Sequence, residues 1–248
     1  MSYRVILFDL FGTLVLFKPN VPTLTVAGTT WRSTMHWLRE EMAQDLPEIR
    51  FEEFLEAIRA VTEEIVRARP PEYLEVPSPE RFRRALQRLG LANELAAAAG
   101  ERLSLRHMDH LAANTEMPVA HRSVLGDLAS CYETGLVSNF DHGATAHRIL
   151  SASEIAPHLN ATLISAEFGR RKPHASIFHA ALRQLGAEAS ETLYVGDTHA
   201  DDVVGARGAG IDVVWINADD AAPPGEGPQP TYVIRQLPEL PELLASLT

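Results

Sequence analysis

The chain of 248 residues holds a single cysteine, Cys131. No internal disulfide can form, and a reducing compartment, by default the cytoplasm, is expected. Basic residues are in deficit: 22 Lys and Arg stand against 33 Asp and Glu, for a formal net charge of -11. That balance argues against a nucleic-acid partner, since phosphate-backbone binding wants basic patches. It leaves room for a small anionic substrate, because a metal, a few local cations and helix N-termini reverse the field inside one pocket. No apolar run reaches the length of a membrane span, so no membrane partner is expected. The apolar start lacks a basic leader and a small-residue cleavage site, and Asp9 interrupts it, which argues against a signal peptide. Lysine is the scarcest charged residue, present only as Lys18 and Lys172.

What is there is ordinary for a globular protein: 46% hydrophobic and 22% charged residues. The length suits one large domain, or a core with a smaller one inserted. Tyr3 to Asp9 reads as a short buried strand, continuous in apolar residues, and Gly12-Thr13 then turns the chain. Residues 18–114 change character. Helical patterns cover Thr30 to Gln44, Phe51 to Arg69, Pro79 to Leu89 and Asn93 to Ala113, with little that reads as strand. In the second, Phe51, Phe54, Leu55, Ile58, Val61 and Ile65 recur at helical spacing. Ser78-Pro79-Glu80 looks like an N-cap followed by proline at the first helical position.

After Met117-Pro118 helices and strands alternate. Strands are expected at Thr134 to Ser138, Ala161 to Ser165, Thr192 to Gly196 and Ile211 to Ile216, with helices between them. Such units imply a parallel sheet covered on both faces. The expected architecture is α/β: a core of residues 1–17 and 115–248, split after its first strand by a helical insertion over 18–114. In open parallel sheets ligands bind at the carboxyl ends of the strands, where the motifs below fall.

Asp9-Leu10-Phe11-Gly12-Thr13 places a carboxylate at a strand tip, able to act as nucleophile on phosphorus or carbon, or simply to end the strand. Thr13 offers a hydroxyl to an oxyanion, and Gly12 allows a tight turn. Ser138-Asn139 ends another strand, either as a donor to substrate oxygens or as a plain turn. In Arg170-Arg171-Lys172-Pro173 the rare lysine is the notable choice, a point charge able to hold Asp9 and a substrate's charge together. Gly196-Asp197-Thr198-His199-Ala200-Asp201-Asp202 supplies oxygen ligands of the kind Mg²⁺ prefers, although one of the last two acids can instead cap the helix that follows.

The order of these motifs, their strand-end positions and the insertion together resemble the haloacid-dehalogenase superfamily across essentially the whole core. The resemblance implies a Rossmann-like parallel sheet with a helical cap. It implies Asp9 as nucleophile, Thr13 and Ser138 binding the transferred group beside Phe11, Gly12 and Asn139, and Lys172 stabilising both. In the phosphatases of the superfamily it implies Mg²⁺ on Asp9, the Phe11 carbonyl, Asp197 and Asp202, the last by register from Gly205-Ala206.

Two features pull apart. Those phosphatases usually carry an aspartate where this chain has Phe11, which cannot transfer a proton, whereas 2-haloacid dehalogenases often have an aromatic there. The dehalogenases need no metal, favour a small polar residue at the place of Asp197, and commonly have tyrosine where this chain has Phe178. An unpaired Asp197 beside Asp9 is costly without a cation. The expectation is therefore a Mg²⁺-dependent phosphatase, with carbon–halogen hydrolysis as the rival and a non-catalytic ligand-binding domain as a third reading. A proton from the insertion, through His36, Glu40, His107 or His110, is a further expectation.

Overall fold

The computed structural model describes residues 3–26, 29–222 and 225–247. The chain divides into two compact units, Met1–Leu16 with Glu116–Thr248, and Phe17–Thr115. It opens with β1 (Val5–Phe8), whose four apolar residues are all fully buried, as a central parallel strand requires. After β2 (Leu16–Phe17) it enters the second unit.

That unit begins with strands β3 (Thr23–Val26) and β4 (Thr29–Arg32), paired as an antiparallel hairpin. The helix expected from Thr30 therefore starts later, as a 3₁₀ turn at Met35–Leu38 leading into α1 (Arg39–Asp45). The β-branched and aromatic residues of Thr29–Arg32 favour extended backbone, and the helical spacing of buried residues begins only with Met35, Leu38 and Met42. Helices α2 (Phe51–Ala68), α3 (Ser78–Arg88) and α4 (Asn93–Ala113) follow. The stripe of Phe51, Phe54, Ile58, Val61 and Ile65 is buried against a separate core that includes Leu38, Met42, Phe82, Leu86 and Leu103. Ser78 is not the N-cap: Pro77 stands there, and the buried Ser78 hydroxyl has no partner among the described residues.

The chain returns through β5 (Thr115–Glu116) and α5 (Val119–Ala129). Then come β6 (Glu133–Ser138), α6 (Gly143–Ala152), β7 (Ala161–Ile164), α7 (Ser165–Phe168), α8 (Ala175–Leu185) and β8 (Thr192–Gly196). A π-helical turn at His199–Val203 runs into α9 (Val204–Gly208), followed by β9 (Asp212–Ile216), β10 (Tyr232–Ile234) and α10 (Leu240–Ser246). Six strands make one parallel sheet in the order β10-β9-β8-β1-β6-β7. The three-residue edge strand β10 had no signal of its own; its pairing with Val214–Ile216 creates it.

Val5, Leu7, Val137, Ile177, Phe178, Tyr194 and Val213 fill one core layer between sheet and helices. Full burial of a ring such as Phe178 contributes about 2–3 kcal/mol. The order of strands reverses about β1: the chain builds β6 and β7 on one side, then crosses to β8 on the other. The carboxyl ends of β1, β6 and β8 therefore border the topological switch point where such sheets bind ligands.

Candidate active site

Asp9 directly follows β1, and its N–H donates to the Val195 carbonyl at 2.9 Å, tying it to β8. The turn beyond it is closed by bonds from Leu14 and Val15 N–H to the Leu10 carbonyl, both 2.9 Å. Gly12 has φ +80, and a Cβ there would overlap the Asp197 carboxylate. Glycine is thus required for both the left-handed backbone and the close approach. Its N–H donates to the Val15 carbonyl at 2.8 Å, which helps to close the turn.

Lys172 is 1% exposed, and its three ammonium protons are all committed. Nζ donates to Asp9 Oδ1 at 2.7 Å, to Asp202 Oδ1 at 2.7 Å and to the Tyr194 hydroxyl at 2.8 Å. Tyr194 in turn lies within hydrogen-bond reach of the Val137 carbonyl, 3.1 Å, and of Asp202 Oδ1, 3.0 Å. The backbone of Lys172 is clamped from β6: its N–H donates to Asn139 Oδ1 at 2.7 Å, and Asn139 Nδ2 donates to its carbonyl at 3.0 Å. The second amide proton of Asn139 goes to Asp201 Oδ2 at 3.1 Å. Asn139 therefore positions the Lys172 backbone.

Asp197 follows β8, and its backbone carbonyl accepts from Trp215 Nε1 at 2.8 Å, with the His199 ring edge-on to that indole at 5.3 Å. Oxygens of Asp9, Asp197 and Asp202 lie within 4.8 Å of one another. One ammonium faces three carboxylates in a buried site, and the charges respond accordingly. Burial, with the Asp202 charge beside it, pushes Asp9 up to about 7 against the pull of Lys172. Burial, then Asp202 and Asp9, push Asp197 up to about 8. Burial works against the Lys172 charge, but Asp202 and Asp9 outweigh it and raise its pKa.

A divalent cation fits this donor set. The carboxylate oxygens are hard ligands, their charge exceeds what Lys172 neutralises, and the buried Asp197 Oδ1 has no hydrogen-bond partner among the described residues. Asp202 is the more heavily used acid, since its Oδ2 also accepts from Thr198 N–H at 2.9 Å. The hydroxyls of Thr13 and Ser138 are buried and likewise without partners among the described residues. The pairing of Phe8 with Leu136 brings Ser138 to the level of the turn after Asp9. The Phe11 ring packs on Phe140 with centroids 4.9 Å apart.

Sequence reasoning gave no role to Tyr194 or Trp215. Both lie on apolar strands, where a hydroxyl or indole N–H reads as core until its partner is known. Of the proton donors expected in the insertion, His107 is the buried one. It is 4% exposed, its Nδ1 lies 2.7 Å from Thr34 Oγ1, and burial pushes its pKa down to about 3. His110 Nε2 sits 3.0 Å from Glu41 Oε1, while His36 and Glu40 are exposed.

The parallel α/β sheet thus carries, at its strand ends, a buried centre of three carboxylates with one lysine bridging Asp9 and Asp202. A model of the haloacid dehalogenase-like hydrolases matches residues 3–210, and the chain belongs to that family of hydrolases. It is 33% identical over 123 residues to the pyrimidine 5'-nucleotidase YjjG of Escherichia coli (strain K12), covering 49% of this chain and 54% of that protein. The chain thus spans about half the length of the first curated relatives it matches. It is 27% identical to a glyceraldehyde 3-phosphate phosphatase of Pyrococcus furiosus over 97% of this chain and 92% of the relative. Among solved structures, a 2-haloacid dehalogenase from Pseudomonas syringae pv. Tomato DC3000 shares the fold with a TM-score of 0.73 at 22% identity, covering 100% of both chains.

Proposed function

We propose that this hydrolase is a Mg²⁺-dependent phosphatase acting on a small phosphorylated metabolite, with Asp9 as the nucleophile. The observation that carries the reading is the surplus of buried carboxylate around Lys172, above all Asp197 Oδ1, which has no hydrogen-bond partner among the described residues. A halide-displacing site has no use for that charge, since it repels a carboxylate substrate and demands a cation.

In this reading Asp9, Asp197, Asp202 and the Phe11 carbonyl hold Mg²⁺. When bound, the ion supplies positive charge against the negative charge of the phosphoryl group. Lys172 holds Asp9 oriented through the 2.7 Å bond to Oδ1, leaving Oδ2 to attack phosphorus. Attack forms an aspartyl-phosphate, and water then cleaves it. The free hydroxyls of Thr13 and Ser138 donate to the phosphoryl oxygens, which strengthens as charge develops.

One observation favours carbon–halogen hydrolysis instead: Phe11 carries no proton, and halide needs none. Phosphate release from a broad panel of phosphorylated compounds, with Mg²⁺ and with chelator, separates the readings, using Asp9→Ala as control. Mg²⁺-dependent release that disappears in the variant is expected. Absence of phosphate release together with halide release from 2-haloacids would overturn the proposal.

A further inference from the structure

Among the described residues of its own unit, the groups that hydrogen bonds place around Asp9 commit their protons to one another rather than to a departing oxygen. The three protons of Lys172 are held by Asp9, Asp202 and Tyr194. The single proton of the Tyr194 hydroxyl is taken by the Val137 carbonyl or by Asp202. Both amide protons of Asn139 are taken by Lys172 O and Asp201. The hydroxyls of Thr13 and Ser138 are unspent, but an aliphatic alcohol is far too weak an acid to protonate an alkoxide in a transition state. The chain immediately after Asp9 contributes Leu10, fully buried, and Phe11, whose ring is stacked on Phe140. That edge of the site is hydrocarbon. Asp202 accepts at both oxygens, from Lys172 and Tyr194 at Oδ1 and from Thr198 N–H at Oδ2, and Asp197 is given to the cation in the reading above.

We infer that the enzyme takes phosphoryl compounds whose leaving group departs as a stable anion, namely acyl, enol and aryl phosphates, in preference to alkyl phosphomonoesters. The inference rests on the phosphatase reading above. The step balances without an acid. Asp9 oxygen bonds to phosphorus, and the phosphorus–oxygen bond to the leaving group breaks, its electron pair leaving with the carboxylate, enolate or phenolate. Water then cleaves the aspartyl-phosphate, its proton leaving on the phosphate released, and Asp9 returns as carboxylate. The Phe11–Phe140 edge suits a flat apolar leaving group better than a polyhydroxylated one.

The test is a linear free-energy series on the whole protein with Mg²⁺: substituted phenyl phosphates, a simple alkyl phosphate and acetyl phosphate, each with Asp9→Ala as the background. kcat/KM is the readout, because it reports the step in which the leaving group departs. The expected result is a fall of about tenfold or more for every two pH units of leaving-group pKa, with acetyl phosphate at the top and the alkyl ester at the bottom. A flat series, with the alkyl ester as good as the acyl phosphate, overturns the inference. It would mean that a proton arrives from elsewhere, and His36, Glu40 and His110 would be the residues to replace next. Phosphate release from none of the compounds would instead remove the phosphatase reading itself, and this inference with it.

Discussion

The Nζ of Lys172 lies 2.7 Å from Asp9 Oδ1 in a site where the lysine side chain is only 1% exposed. A lysine buried this deeply keeps its charge only because Asp9 and Asp202 both face it. Removing it leaves acids without a counter-ion. Lys172→Met should therefore lower stability at neutral pH by about 3–5 kcal/mol, as is typical when one partner of a buried pair is deleted. Urea unfolding at pH 7 checks this. A loss below about 1 kcal/mol would mean that the lysine is not holding the acids together.

Asp197 ties stability to pH and, on the proposed Mg²⁺ site, to the ion. Its folded pKa, about 8, lies above its ordinary value of 3.8, so the folded chain binds its proton more tightly than the unfolded chain. This group's contribution is fully present below about pH 4 and is lost as pH rises toward 8. Wild type in chelator should thus lose thermal stability between pH 5 and 8, Asp197→Asn should lose less, and added Mg²⁺ should restore the wild type alone. Melting curves at those two pH values, with and without the ion, provide the check.

Asn139 makes three hydrogen bonds that hold Lys172 and Asp201. Asn139→Ala should cost about 1–3 kcal/mol, because the Lys172 N–H loses its buried acceptor. If turnover is measurable, kcat should fall at least tenfold while KM changes little. A rise in KM with kcat intact would place Asn139 in the substrate-binding set.

His107 makes the inserted unit sensitive to acid. Its folded pKa of about 3 lies below the ordinary 6.5, so the unfolded chain takes the proton first. The associated stability is complete above pH 6.5 and drains away as pH falls toward 3, at about 1.4 kcal/mol per pH unit for this one proton. His107→Gln, which keeps a polar partner for Thr34 without a titrating group, should flatten that part of the profile. Denaturation at pH 7 and pH 4.5 would show it, and equal slopes in the two proteins would refute it.

Gly12→Ala tests the turn. With φ +80 and the Asp197 carboxylate against the would-be Cβ, the variant must move either the turn or the acid. A loss of Mg²⁺ affinity by tenfold or more, measured by titration calorimetry, is the expected result. Unchanged affinity would show that Asp197 can sit elsewhere and still serve the ion.

Much of the core was legible in the sequence because its signals are local. VILF admits little but a buried strand, and α8 was expected and found at Ala175–Leu185. The hairpin at β3 and β4 and the edge strand β10 were missed because pairing, which no short window contains, stabilises them. Helix α4 shows the converse, since its residues Asn93–Ala113 carry enough intrinsic helix preference to be read without their partners.

At the site the division is sharper. The sequence by itself determined that Asp9, Ser138 and Asp197 lie at or just beyond strand ends, since each follows an apolar run; Lys172, expected at a strand end as well, instead follows α7 in the turn before α8. Only the tertiary structure decided how they are used. It spent Asn139 on the backbone of Lys172, turned Gly12 N–H inward to Val15, and brought Tyr194 to the lysine from a strand that reads as plain core. The physical reason is that most buried polar groups find a partner, and partners 22 to 163 residues apart in the chain are chosen by strand order and register.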